Sequence, residues 1–148
     1  MPVYATNKKA RFDYEILDTY EAGLALSGQE VKSIRNGQAK LVGAFVTFHG
    51  TKALLTNAHI PKYTHASGLL GYDPNQSRTL LLSKREINYL RGKTQERGLT
   101  IVPLSLYTKG HYIKVEIGVA KGKKTHDKRE TIKKRDQDRD IKRTLKTL

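Results

Sequence analysis

The strongest constraint on the fold is a regular alternation of apolar and polar residues late in the sequence. From residue 113 to residue 119 every second residue is apolar, namely Ile113, Val115, Ile117 and Val119. Lys114 and Glu116 lie between them. Successive side chains of a β-strand point to opposite faces, so the pattern predicts a strand with one buried face.

Other segments predict more short strands and two helices. Strand-like runs cover residues 12–17, 24–26, 44–48, 52–56 and 99–107, with Pro103 placing the last at a sheet edge or a bulge. Residues 21–23 are expected to interrupt the first two runs. Ser27 with Glu30, and Ser83 with Glu86, have the spacing of capping boxes that begin helices. About six strands and two helices favour a mainly β fold, a small antiparallel OB-like barrel.

Charge is concentrated at the C-terminus. Residues 121–148 contain 12 basic and 5 acidic residues, so about a fifth of the chain carries half of the net charge of +14. Its sizeable apolar residues are only Ile132, Ile141, Leu145 and Leu148. Such a segment buries too little apolar surface to offset the entropy of ordering. We therefore predict a barrel domain over residues 1–120 and a basic tail over residues 121–148, disordered when free.

The tail also has a helical pattern. Ile141, Leu145 and Leu148 fall on one helical face, and no Gly or Pro follows Thr131. We expect the tail to become helical along a polyanion. The alternative is a solubilising tail with no specific partner.

Composition excludes several functional classes. The net charge of +14 favours nucleic acid as partner over a membrane surface. There is no Cys, and the His spacing matches no metal motif, so neither a metal nor another cofactor is expected. Residues 118–124 do not match the phosphate-binding loop of nucleotide triphosphatases. The N-terminus lacks a signal-peptide pattern, which predicts a cytoplasmic protein, and nothing demands an enzyme.

Aromatic and basic residues provide candidate nucleic-acid contacts. A basic cluster near the N-terminus is suited to phosphates: it contains Asn7, Lys8, Lys9 and Arg11. Tyr14 and Tyr112 lie beside charged residues and are candidates for stacking on bases, whereas core packing is expected of Phe45, Phe48 and Tyr107. His126 lies among basic residues, and its ring either contacts a base or a phosphate of RNA or is simply solvated.

Several segments carry a family resemblance. They are residues 7–10 (NKKA), 21–26 (EAGLAL), 28–33 (GQEVKS), 73–74, 80–82, 103–107 and 118–129 (GVAKGKKTHDKR). In this order they resemble the small protein B family, the bacterial SsrA-binding proteins, over essentially the whole chain. The resemblance implies an OB-type barrel that binds transfer-messenger RNA. It also implies a role with that RNA in trans-translation, the rescue of ribosomes stalled on messages without a stop codon.

The resemblance also implies site residues. RNA contacts are implied at Asn7, Tyr14, Glu21 and Leu81, with the basic residues Lys8, Lys9 and Arg11 nearby. The implied ribosome-engaging segment contains Lys121, Lys123, Lys124, His126, Asp127, Lys128 and Arg129, followed by the apolar residues Ile141 and Leu145. This tail would lie in the vacant decoding site and message channel, helical on the ribosome. The chain is expected to be a monomer.

Two positions depart from the family pattern, and two other functions remain open. Ser83 stands where some members have Asn, and Thr144–Leu145 stands where others have two large apolar residues. One alternative is an RNA-processing enzyme that uses His126 with Lys128 or Arg129. The other is a ribosomal structural protein, whose basic tail would look similar.

Overall fold

The computed structural model of the chain describes residues 2–66, 68, 70–123 and 132–133. Ten elements follow one another there: β1 (Val3–Thr6), α1 (Lys8–Asp13), β2 (Tyr14–Leu24), α2 (Gly28–Arg35), β3 (Phe45–His49), β4 (Lys52–Thr56), β5 (Arg78–Leu81), α3 (Lys84–Thr94), β6 (Leu99–Lys109) and β7 (Tyr112–Gly122). No helix in these ranges is long and apolar enough to cross a membrane.

The strands form one antiparallel sheet in the order β1-β6-β7-β2-β5-β4-β3. The sheet curls, because β3 also packs against β6. Curling lets the apolar faces of the strands meet around one core. The mainly β, OB-like prediction is confirmed.

The alternating segment behaves as predicted. Ile113, Val115, Ile117 and Val119 of β7 are buried in the main core. Lys114 and Glu116 lie on the outer face, where they are partly exposed. β7 is central, pairing with β6 on one side and β2 on the other. The outer face of these three strands therefore presents a broad surface.

Both capping boxes are formed. Ser27 Oγ accepts from the Glu30 N–H at 3.4 Å, and Glu30 Oε1 accepts from the Ser27 N–H at 3.1 Å. Ser83 and Glu86 make the same reciprocal pair at 3.2 and 3.0 Å. Each pair satisfies backbone donors that the first helical turn leaves without a partner. The two predicted helices correspond to α2 and α3.

The N-terminal third differs from the sequence prediction. Residues 12–13 end α1 instead of beginning a strand, and β2 runs from Tyr14 to Leu24 without a break at residues 21–23. β1 and β5 are additional strands.

Pro103 of β6 was predicted to lie at a sheet edge or at a bulge. It lies at a bulge, since the β6–β7 register shifts between Pro103 and Ser105. β6 is not an edge strand as a whole, because Ser105–Tyr107 pair with β1, but Pro103 lies outside that pairing.

A buried ion pair joins α2 to β5. Arg78 Nε donates to Glu30 Oε2 at 2.8 Å, and both side chains are almost completely buried. Arg78 also donates to the Ala58 carbonyl at 2.8 Å and to the Tyr72 hydroxyl at 3.0 Å. Burial alone would raise the pKa of Glu30, but the hydrogen bonds from Ser27 and Arg78 hold this pKa below its usual range. The pair thus connects a helix cap, a strand and the loop that carries Tyr72.

β7 continues past the predicted domain boundary. It ends at Gly122, and the Lys123 N–H donates to the Asp13 carbonyl at 2.9 Å. Lys121, assigned above to the tail, is paired in the sheet with Glu15 and Leu99. Beyond Lys123 only Ile132 and Lys133 are described, and both are exposed. The predicted behaviour of the tail, disordered when free and helical when bound, lies outside the described residues.

Candidate nucleic-acid interface

Polar side chains collect on the outer face of β2, β6 and β7. Glu21 on β2 is opposite Glu116 on β7, which is opposite Ser105 on β6. The neighbouring row places Gly23 opposite Lys114, and Lys114 opposite Tyr107. Residues that are paired across strands share a face of the sheet. We call this surface the Glu21 face; its side chains are Arg11, Glu21, Leu81, Tyr107, Lys109, Lys114 and Glu116.

The Glu21 carboxylate is held on both oxygens. Tyr107 Oη donates to Oε2 at 2.5 Å, and Lys109 Nζ donates to Oε1 at 3.3 Å. The hydrogen bond from Tyr107 and the charges of Lys109 and Lys114 lower the pKa of Glu21. Burial and the same hydrogen bond raise the pKa of Tyr107, which keeps its hydroxyl protonated. Glu21 is therefore an oriented anion at neutral pH.

Arg11 reaches the same face from α1. Arg11 Nη2 donates to Glu116 Oε1 at 3.0 Å, and both side chains are partly exposed. Lys8 and Arg11 also line a cleft between α1 and β6, together with Ser105. Glu116 is the strand partner of Glu21, so cations and carboxylates alternate across this surface.

Leu81 completes the surface at its β5 side. It pairs with Gly23, and a Cβ at Gly23 would lie only 3.1 Å from Leu81 Cβ. Such a contact is tighter than most Cβ contacts and would require Leu81 to shift by a few tenths of an ångström, so glycine lets its side chain rest on β2 without that shift. Leu81 itself is 58% exposed. Leu81 therefore adds an exposed apolar side chain beside the ion pairs of the Glu21 face.

Asn7 has a different environment from the other predicted contacts. Its side chain is 3% exposed. Asn7 Nδ2 donates to the carbonyls of Pro103 at 2.9 Å and Leu41 at 3.3 Å, and its Oδ1 accepts from the Ala10 N–H at 3.1 Å. These bonds use its amide to cap α1 and to join β6 to the segment before β3. Direct RNA contact by Asn7 stays a prediction; its geometry is that of a positioning residue.

Lys9 and Tyr14 lie on the other side of α1. They line a cleft of about 430 Å³ with Asp13, Phe45 and Thr100. Lys9 Nζ forms an ion pair with Asp13 at 3.1 Å. Lys9 and Arg11 are two residues apart on a helix, so they point in different directions. The structure thus brings Arg11, Glu21 and Leu81 together, but it does not bring Lys9 and Tyr14 to them.

Sequence reasoning missed several members of the Glu21 face. Tyr107, Lys109 and Glu116 were not among the predicted contacts, and Tyr107 was assigned to the core. Glu21 and Tyr107 are separated by 86 positions, so no local spacing signals their contact. Phe45, also assigned to the core, is 39% exposed beside the second cleft. Phe45 is the first residue of β3 and is not part of the core, so the prediction that it packs in the core was wrong.

The remaining predicted site residues cannot be placed on either surface. Lys124, His126, Asp127, Lys128, Arg129, Ile141 and Leu145 lie outside the described residues. Lys123, the last described residue before this gap, is partly exposed, and its N–H donates to the Asp13 carbonyl. In the part of the chain that the structure describes, no three His, Asp or Glu side chains converge as metal ligands.

These features define an OB-like protein with an ordered charged face. A family model described as SmpB protein matches residues 4–147. The SsrA-binding protein of Acaryochloris marina is 51% identical over 144 residues, which is 97% of this chain and 94% of the relative. The SsrA-binding protein of Mesoplasma florum is 55% identical over 137 residues, 93% of this chain and 92% of the relative.

A solved structure is also similar. A chain described as "tmRNA-SmpB: a journey to the center of the bacterial ribosome" superposes with a TM-score of 0.70 and 46% sequence identity. The match covers 84% of this chain and 87% of the solved one. The chain belongs to the SmpB protein family.

Proposed function

We propose that this protein binds the tRNA-like domain of transfer-messenger RNA and acts with it in trans-translation on stalled ribosomes. The observation that carries the proposal is the oriented Glu21 carboxylate on an exposed strand face, in a chain of the SmpB family. Its relatives are named for binding SsrA, and the solved chain is described with tmRNA and the ribosome.

Glu21 can contribute to RNA binding although it is an anion. A carboxylate has about four lone-pair sites, and Tyr107 and Lys109 occupy one on each oxygen. The remaining sites can accept from base amino groups or ribose 2′-hydroxyls, which are the donors that RNA offers. The charges of Lys109 and Arg11 compensate for the repulsion of nearby phosphates. Glu21 therefore reads donors while its neighbours bind the backbone.

The basic tail supplies the second half of the activity. The Glu21 face belongs to the folded body. Residues 124–148 follow Lys123, which comes directly after β7 and whose N–H donates to the Asp13 carbonyl. We assign the tail, including His126 and Ile141, to the ribosomal decoding site and message channel, where it becomes helical as phosphates neutralise its charge. Body and tail then bind two different RNA surfaces without catalysis, and the protein acts in the cytoplasm.

Neither alternative function has support in the described residues or in the comparisons. An RNA-processing enzyme would need an acid–base pair held in mutual contact, and its candidates, His126 with Lys128 or Arg129, lie outside the described residues. A ribosomal structural protein would accompany every ribosome in constant proportion. The proposed factor instead retains one particular RNA, which distinguishes the two after purification.

A chain that ends at Lys123 tests the division between body and tail. We expect it to bind the tRNA-like domain within about twofold of the full chain, because the Glu21 face and all ten elements remain. It should fail to support peptidyl transfer to charged transfer-messenger RNA on ribosomes with an empty decoding site. The matched control is a full chain with Glu21→Ala, which should lose affinity for the RNA instead. A hundredfold loss of RNA affinity in the truncated chain would contradict the proposal.

A further inference from the structure

The tip of the β6–β7 hairpin presents an aromatic ring that the protein does not use. Tyr112 is 73% exposed, directly after the turn at Gly110. In the described part of the chain its hydroxyl has no hydrogen-bond partner. A tyrosine ring left in water forgoes the stabilisation that burial would give it. The ring is therefore available to a partner.

A pocket lies beside this ring. It has a volume of about 190 Å³ and is continuous with the Glu21 face, because Leu81 and Lys114 line it. Leu26 and Val31 form apolar wall, whereas His111, Tyr112 and Lys114 supply ring and cationic groups. Leu81 is 58% exposed here, so the pocket has apolar surface on two sides.

The combination matches one ligand chemistry. An exposed aromatic ring, an apolar wall and a nearby ammonium group suit a nucleobase with its phosphate, since every base has a flat π-face and each phosphate is anionic. Lys109 is the strand partner of Tyr112, and it also holds Glu21. A nucleotide in the pocket would therefore lie next to the RNA groups that donate hydrogen bonds to Glu21.

We propose that this pocket, with Tyr112 and Leu81, holds one unpaired base of the bound RNA by stacking. The inference rests on the proposed function, because it extends the same face. It adds a site for an extruded or loop nucleotide to a surface whose other contacts are polar. Lys114 contacts the phosphate of that nucleotide.

The test compares Tyr112→Ala and Tyr112→Phe in the full chain, with Tyr89→Ala as matched control. Tyr89 is an exposed tyrosine on α3, away from the pocket. Two RNAs are used: the tRNA-like domain and an unrelated hairpin with an unpaired loop. We expect Tyr112→Ala to weaken binding of the tRNA-like domain about 10- to 100-fold, the range for loss of one stacked base. Tyr112→Phe and Tyr89→Ala should bind like the unchanged chain.

A second readout separates stacking from charge. The slope of log affinity against log salt should be the same for Tyr112→Ala and the unchanged chain, because no phosphate contact is lost. Equal affinity of Tyr112→Ala and the unchanged chain for the tRNA-like domain would overturn the base site while leaving the proposed function intact.

The hairpin RNA distinguishes the remaining failures. If the unchanged chain ignores the tRNA-like domain but binds the loop RNA through Tyr112, the proposed function fails and the base site stands. If it binds neither RNA, both proposals are wrong. Circular dichroism of each variant establishes that the fold is retained.

Discussion

Tyr107 on β6 reaches across β7 to donate its phenolic hydrogen to Glu21 on β2, with 2.5 Å between the two oxygens. Two strands that are not neighbours are thus joined on the outer face of the sheet. The bond orients a carboxylate that solvent would otherwise leave free to rotate. It makes the Glu21 face a pre-arranged surface and connects its acidic centre to the hairpin that carries Lys109.

Tyr107→Phe removes this donor and leaves the ring in place. We expect the pKa of Glu21 to rise towards the ordinary glutamate value of about 4.3, because the largest cause of its lowering is gone. An NMR titration of the Glu21 side-chain carboxyl carbon measures this change. An unchanged pKa would mean that Lys109 and Lys114 alone lower the pKa of Glu21.

The same substitution predicts a pH-dependent stability difference. A lowered folded-state pKa stabilises the protein above the unfolded pKa, and the contribution is lost as the pH falls through the folded value. The unchanged chain should therefore exceed Tyr107→Phe in unfolding free energy at pH 7, and this difference should narrow at acidic pH, as the pH falls through the lowered pKa of Glu21. Urea denaturation at the two pH values checks this. An equal difference in unfolding free energy at both pH values would show that the Tyr107 hydroxyl stabilises the fold independently of the ionisation of Glu21.

Glu21→Gln tests whether the anion itself binds RNA. The amide keeps the shape but replaces one acceptor oxygen with a donor, so bonds from RNA amino or hydroxyl groups are weakened. We expect affinity for the tRNA-like domain to fall about 10- to 100-fold, the range for a hydrogen bond to a charged group. The salt dependence of binding should keep its slope, because Glu21 neutralises no phosphate. A steeper slope with higher affinity would show that Glu21 only repels the backbone.

The sequence predicted the strands and helices whose signals are local. The alternation in β7 and the two capping boxes needed only neighbouring residues, and all three predictions are confirmed. α1 was missed because its six residues depend on the Asn7 cap and on packing of Ala10 against Val102 and Leu104. The expected break at residues 21–23 was wrong because Gly23 lies within β2 to admit Leu81, which no local pattern reveals.

The candidate site was predicted less completely than the fold. Family resemblance supplied Glu21 and Leu81, but it could not show which residues hold them. Tyr107 and Lys109 reach Glu21 only because β7 brings β6 beside β2. Asn7 shows the opposite limit, since a polar residue in a basic cluster was expected at the surface and its amide is buried in backbone contacts. Burial of a polar side chain depends on tertiary partners that spacing does not encode.

Arg78→Met tests the buried ion pair. Removing one partner leaves the Glu30 carboxylate buried without its cation, which costs about 3–5 kcal/mol of unfolding free energy. The double variant Arg78→Met/Glu30→Gln should recover part of the loss, because the unpaired charge is gone. Urea denaturation measures each variant, and Glu96→Gln at the exposed Lys93 pair is the control with little expected change. Equal losses in the single and double variants would mean that the packing around Arg78 matters more than its charge.

Ile141→Pro tests the helical pattern of the tail. An isolated helix over residues 131–148 is only marginally stable in water, because helix nucleation is unfavourable by a factor of about a thousand. RNA phosphates on the ribosome would reduce repulsion among the basic residues from Thr131 onward and favour the helix. Ile141→Pro should then impair rescue, since proline costs about 3 kcal/mol inside a helix, while the body still binds the tRNA-like domain. Gln137→Ala, a substitution that a helix tolerates in the same segment, is the matched control and should leave rescue intact. The measurement is peptidyl transfer to charged transfer-messenger RNA on ribosomes with an empty decoding site. Normal transfer in the Ile141→Pro chain would show that the tail works as an extended polycation, because proline at that position would break a helix.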